Sequence, residues 1–253
     1  MSGYQKEMFG LATAAQPTSI GEIVASDYRK AEIFKKHGLD YSCGGKKSIE
    51  EACRSKGIDP QPVQSDLDGA GFPPGASMNL VENWPLDALT EHIIARHHRY
   101  ITESLPILYE LTAKVAREHG ERCPELHEIA WDFNMLAREL QTNLQKEEYI
   151  LFPYIIHLAA ADRQKMPCPV PFFGSVQHPI GNLEAEHSAV GHRMESIRRL
   201  SNNYRLPADA CVTFRLFYAR LEEFDRDMQR HFHLENNVLF PKAVALERRS
   251  FPA

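Results

Sequence analysis

The C-terminal two-thirds of the chain carries hydrophobic residues at alternating spacings of three and four, which predicts long amphipathic helices. Pro106 is expected to kink the first helix, and Pro124 suits the first turn of the second. No segment shows the strict alternation of a half-buried strand. Long helices with short connections predict an antiparallel four-helix bundle. Its helices are predicted at about 86–118, 124–161, 180–201 and 207–247.

The N-terminal third has a different pattern. Ser48 and Glu51 form a capping box, and Gly57 suits the end of the helix that follows it. The predicted fold class is therefore all-α, with a small N-terminal helical domain joined to the bundle. The predicted organisation is a flexible leader (1–18), the helical domain (19–68, with helices at 20–25, 28–36 and 49–56), a Gly- and Pro-rich linker (69–85) and the bundle (86–247).

Each hydrophobic stripe of the bundle is interrupted once by polar residues. From the first predicted helix to the fourth, these residues are His98; Asn143 and Glu147; His187; and His231 and Glu235. The second and fourth interruptions belong to an internal repeat, because 143–153 and 231–241 both read [N/H]-x-x-x-E-x-x-x-L-F-P. In each copy the glutamate lies one helical turn after the polar residue, so both side chains share a face. The repeat predicts histidine where the chain has Asn143.

Polar groups facing one apolar core indicate a shared cationic partner. An unpaired buried carboxylate costs several kcal/mol, and an unpaired imidazole costs about 1–3 kcal/mol. A pair of divalent or trivalent cations would satisfy them, with Glu147 and Glu235 bridging and the histidines as terminal ligands. Imidazole and carboxylate on facing helices favour iron over manganese or zinc. A ferritin-type site needs two Glu-x-x-His motifs, and only Glu184 with His187 fits that pattern.

Simpler interpretations exist for each residue alone. A single core histidine more often donates to a backbone carbonyl than binds metal, and His231 with Glu235 could be a buried hydrogen-bonded pair. The simultaneous interruption of four helices favours the metal. The flanking Glu184 and Glu186 are expected only to support His187, and Glu148 is expected to face solvent. The histidines off the stripes are expected at the surface, near the site or at helix ends: His92, His97, His119, His157 and His192.

Composition excludes several classes of function. A net charge of -5 and a pI near 6.2 give no electrostatic footprint for nucleic acid or an anionic membrane. The longest apolar stretch, 149–161, is shorter than the ~20 residues that span a bilayer. The N-terminus lacks the apolar core of a secretory signal, and the five cysteines include no C-x-x-C pair. We therefore expect a reduced, cytoplasmic protein.

Five segments together resemble the RIC (repair of iron centres) proteins, and the resemblance extends over about 19–246. These proteins have a small ScdA-type N-terminal domain and a haemerythrin-like four-helix bundle. The segments are Asp40-Tyr-Ser-Cys43-Gly-Gly-Lys46, His92-Ile-Ile-x-x-x-His98, Lys146-Glu147-Glu-x-x-Leu-Phe-Pro, Glu186-His187 and His231-x-x-Leu-Glu235-Asn-Asn-Val-Leu-Phe-Pro.

The resemblance implies two non-haem iron ions with oxo and carboxylate bridges. His98 and His231 would bind one iron, His187 would bind the other, and Glu147 and Glu235 would bridge them. The sixth ligand of the family, a histidine, falls on Asn143. Because an amide oxygen is a weaker ligand than imidazole, this iron should be held less tightly, exchange faster or keep an open position.

The N-terminal domain also departs from the family, where two adjacent cysteines commonly precede Gly-Gly. Here the pair is Ser42-Cys43, which excludes a dithiol mechanism in this loop. Cys43 is either a redox-responsive or iron-handling thiol, favoured as thiolate by Lys46 and Lys47, or a loop cysteine without chemistry. The other cysteines are expected to be structural or incidental: Cys53, Cys123, Cys168 and Cys211.

The resemblance implies repair of iron–sulfur clusters damaged by nitrosative or oxidative stress, by iron donation, by reaction with nitric oxide, or both. The expected partners are damaged iron–sulfur proteins, with nitric oxide or oxygen species as small ligands and no nucleic acid or membrane. A homodimer is left open. The alternatives are an enzyme that reduces nitric oxide at the two irons and a haemerythrin-like module that binds or senses oxygen or nitric oxide.

Overall fold

The computed structural model describes residues 19–70 and 81–250, and every regular element in these ranges is helical. The all-α prediction is thereby confirmed. The predicted leader and most of the predicted linker, 71–80, lie outside the described residues. Within the described ranges, no helix combines the length and the apolar content needed to cross a membrane.

The N-terminal unit is a cluster of short helices around a small core that includes Ile20, Val24, Phe34 and Val63. The capping box of Ser48 is present, and Gly57 ends its helix with a φ of 68°. The last helix was not predicted, although Asp59 caps it and Pro60 lies in its first turn. The helices are α1 (Ile20–Ser26), α2 (Ala31–Lys36), α3 (Ile49–Lys56) and α4 (Pro60–Gly69).

The bundle contains the four predicted helices, three of them in two parts. Pro106 lies inside α6 without ending it. The bundle segments are α5 (Leu86–Ile93), α6 (Arg99–His119), α7 (Glu125–Lys146), α8 (Phe152–Gln164), α9 (Gln177–Leu200), α10 (Val212–Leu234) and α11 (Phe240–Ser250). α7 packs against α6 and α9, and α6 packs against α10. The fourth helix begins at Val212 rather than near 207, and its N-cap is Cys211, whose backbone is extended.

One turn of π-helix joins the two parts of each divided helix. The π turns are Ile94–His98, Glu147–Leu151 and Glu235–Leu239. In each, the next backbone N–H bonds to a carbonyl five residues back, as from Phe152 to Glu147. Pro153 and Pro241 supply a reason in two cases, because proline has no N–H for the carbonyl four residues earlier. Such turns are rare in helices and often occur at functional sites.

The first two π turns shift the buried face by one residue. A constant spacing of three and four would place Ile94, Ile150 and Tyr154 in the core, but these side chains are only partly buried or exposed, with Ile150 40% exposed. The positions beside them are fully buried instead: Ile93, Leu151 and Ile155. A constant spacing of three and four cannot continue through the extra residue of a π turn.

The bundle core consists of two hydrophobic clusters, one on each side of the polar interruptions. One cluster contains Phe133, Phe217 and Phe224, and the other contains Phe152 and Phe240. All four helices pass from one cluster to the other at their polar residues. Close packing on both sides limits the movement of the side chains between the clusters.

Candidate metal centre

The structure brings five of the six interrupting residues together at the centre of the bundle. His98, Glu147, His187, His231 and Glu235 are at most 1% exposed. One ligand-type atom from each of four of them, all except His187, lies within 4.8 Å of the others. This is the one such group of three or more found in the described part of the chain.

The two glutamates each face histidines on both sides. Oε1 of Glu147 lies 3.1 Å from Nε2 of His187, and its Oε2 lies 3.4 Å from Nε2 of His98. Oε1 of Glu235 lies 2.9 Å from Nε2 of His231, and its Oε2 lies 3.5 Å from Nε2 of His187. Each carboxylate therefore points one oxygen to His187 and the other to His98 or His231. A carboxylate that bridges two cations needs this arrangement.

Two of these inward-facing atoms have no protein partner. The Oε2 atoms of Glu147 and Glu235 are buried without a hydrogen bond among the described residues. Nε2 of His98 and Nε2 of His231 lie 3.2 Å apart and share Oε1 of Glu235, at 3.4 and 2.9 Å. A buried unpaired polar group costs about 1–3 kcal/mol, and more when it is charged. Cations would satisfy all of these atoms at once, so the residues fit a metal centre.

Burial and the close approach of the carboxylates shift the titration of the cluster. Burial and the charge of Glu235 raise the pKa of Glu147 to about 7. Burial lowers the pKa of His231 to about 4. Burial also opposes protonation of His98, but Glu235 and Glu147 outweigh it and raise that pKa to about 9. Without a cation, protons on the cluster residues therefore balance part of the negative charge of the carboxylates. A bound metal ion would displace these protons.

Two histidines are oriented by hydrogen bonds on their outer nitrogens. Nδ1 of His98 lies 2.8 Å from Oε1 of Glu148, so Glu148, which was expected to face solvent, is only partly exposed and contacts the cluster. Nδ1 of His187 donates to Oδ1 of Asn236 at 2.8 Å. Both contacts aim Nε2 at the centre, and such contacts also make imidazole a stronger ligand. Asn236 was not singled out from the sequence, although it follows Glu235 directly.

His231 is supported by stacking. Its ring packs against His97 with centroids 5.8 Å apart and planes at 17°. Nδ1 of His97 lies 3.0 Å from Oδ1 of Asp227. His97 is 4% exposed, so it is one of the off-stripe histidines that lie near the site rather than at the surface.

Asn143 is buried beside the cluster, and its amide nitrogen is engaged elsewhere. In the amide orientation that gives both atoms complementary partners, that nitrogen donates to Oε2 of Glu186 at 2.7 Å and to the carbonyl of Glu139 at 3.0 Å. Only the amide oxygen is then left to approach a cation. Glu186 also pairs with Lys146. An apolar recess of about 470 Å³ has Glu186 in its lining, together with Lys146, Ile150 and Leu183.

The N-terminal unit contacts the bundle beside the cluster. Nδ2 of Asn237 donates to the carbonyls of Tyr41 and Ser42 at 3.1 and 3.0 Å. Nδ2 of Asn236 donates to the same Ser42 carbonyl at 3.3 Å. The approach requires glycine at Gly45, where a Cβ would lie 2.4 Å from Oδ1 of Asn237. Asn236 therefore contacts both the N-terminal unit and a histidine of the cluster.

Cys43 lies against the backbone of α9. Its thiol donates to the carbonyl of His187 at 3.3 Å. Burial raises the pKa of this thiol, and Lys46 pairs instead with Glu184 at 2.6 Å. The expectation that the nearby lysines favour the thiolate is therefore wrong. The position beside His187 agrees with either interpretation of Cys43, so its role stays a prediction.

The fold and the cluster together define a haemerythrin-type protein. Residues 89–243 match the haemerythrin HHE cation-binding domain, and residues 16–70 match ScdA_N, a domain of unknown function. The chain is 35% identical over 231 residues to the iron–sulfur cluster repair protein YtfE of Enterobacter sp. (strain 638), across 90% of this chain and 97% of that protein. The proteins of the same name from Yersinia pestis (strain Pestoides F) and Citrobacter koseri are 34% and 33% identical, across 89% and 90% of this chain and 96% and 97% of theirs. The chain belongs to this family, the RIC proteins, in which an ScdA-type domain precedes a haemerythrin domain.

Proposed function

We propose that this protein holds two iron ions and uses them to restore iron–sulfur clusters damaged by nitrosative or oxidative stress. The observation that carries the proposal is the cluster of five buried histidines and glutamates whose unsatisfied atoms face one centre. Relatives across nearly the whole chain are named iron–sulfur cluster repair proteins. The partners proposed are damaged iron–sulfur proteins, with nitric oxide or oxygen species as small ligands.

We assign His98 and His231 to one iron, His187 to the other, and Glu147 and Glu235 to the bridge. The two-sided contacts of the glutamates support this assignment. Such a centre supplies exchangeable iron and a metal pair able to bind nitric oxide or oxygen. The chain itself excludes water from the site and fixes the ring orientations.

The Asn143 side is proposed as the weaker iron position. Its amide nitrogen is held by Glu186 and Glu139, so this side offers one neutral oxygen where the repeat has an imidazole. A position with fewer strong ligands releases its iron more readily. That property suits donation of iron to a damaged cluster.

The test uses an iron–sulfur enzyme inactivated by nitric oxide and the iron-loaded protein. Wild type should restore activity, and Glu147→Leu should not, because it loses a bridging carboxylate. Glu128→Leu is the matched control, since Glu128 is exposed on the same helix. Failure of wild type to restore the enzyme, or full restoration by Glu147→Leu, would refute the proposal.

Nitric oxide reduction is the second candidate, favoured by an apolar recess whose lining includes Glu186, the partner of the Asn143 amide. Reduced protein kept without oxygen would then convert nitric oxide to nitrous oxide over many turnovers. A stable nitrosyl complex without nitrous oxide would argue against this activity and leave cluster repair as the function.

A further inference from the structure

Four aromatic rings in contact connect a histidine of the candidate metal centre to the surface of the protein. The ring of His231 packs against His97 with centroids 5.8 Å apart, and His97 contacts His92 at 5.9 Å. His92 contacts the indole of Trp84 at 5.3 Å. Each separation lies within the range of about 4.5–7 Å that is typical of interacting rings. His231 is fully buried and Trp84 is 38% exposed, so this histidine–tryptophan row runs from the cluster to solvent.

Hydrogen bonds hold two members of the row in position. The backbone N–H of Trp84 donates to the carbonyl of Val81 at 3.0 Å, and its carbonyl accepts from Nζ of Lys242 at 3.3 Å. Nδ1 of His97 lies 3.0 Å from Oδ1 of Asp227. Because a carboxylate only accepts, Nδ1 carries the hydrogen of this bond. The negative charge of Asp227 also stabilises any transient positive charge on the His97 ring.

The other two histidines of the cluster contact rings that remain inside the protein. His98 packs against Phe152. His187 packs against Phe232 and Phe240. All three phenylalanines are at most 3% exposed, and their benzene rings are much harder to oxidise than an indole. In the described part of the chain, the histidine–tryptophan row is thus the ring path from the cluster that ends at an exposed and readily oxidised side chain.

We propose that Trp84 donates electrons to the iron centre when hydrogen peroxide oxidises it, so that the cluster histidines are spared from oxidation. The inference rests on the proposed function, because it requires bound iron. Rings in contact couple electronically more strongly than a saturated chain of the same length. The electrons therefore pass from the indole of Trp84 through the three imidazoles of the row.

The overall reaction is the two-electron oxidation of one indole by one hydrogen peroxide. The electrons leave the Trp84 ring in two successive one-electron steps and pass along the row to the centre. The peroxide takes up both electrons together with two protons and becomes two water molecules. The oxidised indole adds one water and releases two protons to solvent, so a C–H bond is replaced by a C–O bond. The product is hydroxytryptophan at position 84.

The chain contains its own control, because it has two tryptophans. Trp131 lies on α7 and is 66% exposed, more than Trp84. Among the described residues, no ring contact joins Trp131 to the row. An oxidant that diffuses through solution should therefore favour Trp131, whereas electron transfer along the row favours Trp84.

The experiment treats iron-loaded, full-length protein of measured iron content with dilute hydrogen peroxide and maps oxidised residues by mass spectrometry. Trp84 should be oxidised several-fold more than Trp131, and removal of iron should abolish this difference. His92→Leu removes one ring of the row outside the cluster, so it should lower Trp84 oxidation several-fold at unchanged iron content. His157→Leu replaces an exposed histidine on α8 and should leave Trp84 oxidation as in wild type.

A second variant tests the protection of the cluster. Trp84→Phe keeps an aromatic ring that is hard to oxidise, so oxidation of the cluster histidines to oxohistidine should rise several-fold, and no rise would overturn the protective role. Equal oxidation of Trp84 and Trp131 in iron-loaded wild type, or unchanged Trp84 oxidation in His92→Leu, would overturn this inference and leave cluster repair as proposed. Wild type that binds no iron would overturn both.

Discussion

Asn143 occupies the position in the first repeat that His231 occupies in the second. The exchange of imidazole for amide leaves the glutamate of the repeat in place, and Glu147 still contacts His98 and His187. The amide nitrogen of Asn143 is taken up by Glu186 and Glu139. The two sides of the cluster therefore differ in one side chain, an amide on one side and an imidazole on the other.

Asn143→His should strengthen the iron position proposed to be the weaker one, because it supplies a nitrogen ligand. Iron release to a chelator from reduced wild type should show a fast and a slow phase. The variant should slow the fast phase at least about tenfold, the scale of effects seen for ligand-supporting residues. Mössbauer spectra would assign the two phases. Thr142→His places a histidine on the exposed neighbouring position as a control, and an equal effect there would contradict the prediction.

Glu148→Ala should weaken iron binding at the His98 side, because Nδ1 of His98 loses its acceptor. Loss of such a partner typically lowers metal affinity about 10–100-fold. Competition with a chelator of known affinity would measure the change. Glu128→Ala, on an exposed face of α7, should leave affinity as in wild type.

At the level of elements, three helices change register where they supply ligand-type residues. His98 ends one π turn, and Glu147 and Glu235 begin the other two. The extra residue lets a helix present its polar group to the centre and then return hydrophobic residues to the second cluster. The Leu-Phe-Pro ending of the repeat thus contributes to the backbone conformation at the site.

Pro153→Ala should disturb the metal centre more than the fold. The new N–H at 153 can bond to the carbonyl of Tyr149, which favours a regular α-helix over the π turn. Iron per chain should fall while helical circular dichroism remains at the wild-type level. Pro124→Ala, before α7 and away from any π turn, should retain full iron content. If both variants kept full iron content, Pro153 would not be needed for the geometry of the site.

The sequence was sufficient to predict the four bundle helices and the residues that gather at the centre, but it did not yield α4 of the N-terminal unit. A stripe of apolar residues broken once by His98 or Glu147 is visible without coordinates, because burial and helix periodicity alone define it. The π turns were not predicted, since one extra residue hardly alters a local pattern. The contacts of Glu148 and Asn236 were missed because their partners lie on other helices and depend on that shifted register.

At the scale of the whole molecule, cations would stabilise a bundle that otherwise buries unsatisfied carboxylate oxygens. Iron at about 100 times its dissociation constant would add about 2.7 kcal/mol to the free energy of unfolding. For a chain of this size, that corresponds to a rise of roughly 5–10 °C in the unfolding midpoint. Calorimetry with and without a chelator would measure it. Glu147→Leu should respond less, and an unchanged wild-type midpoint would contradict the prediction.

Asn236 links the N-terminal unit to the candidate metal centre. One side-chain amide accepts from the ring of His187 and donates to the backbone of Ser42. Thermodynamic linkage then works in both directions. If docking of the N-terminal unit on the bundle raises the affinity of the centre for metal, bound metal must strengthen that docking by the same factor. A client protein that displaced the N-terminal unit as it bound would thereby lower the affinity for iron, so client binding and iron release would occur together.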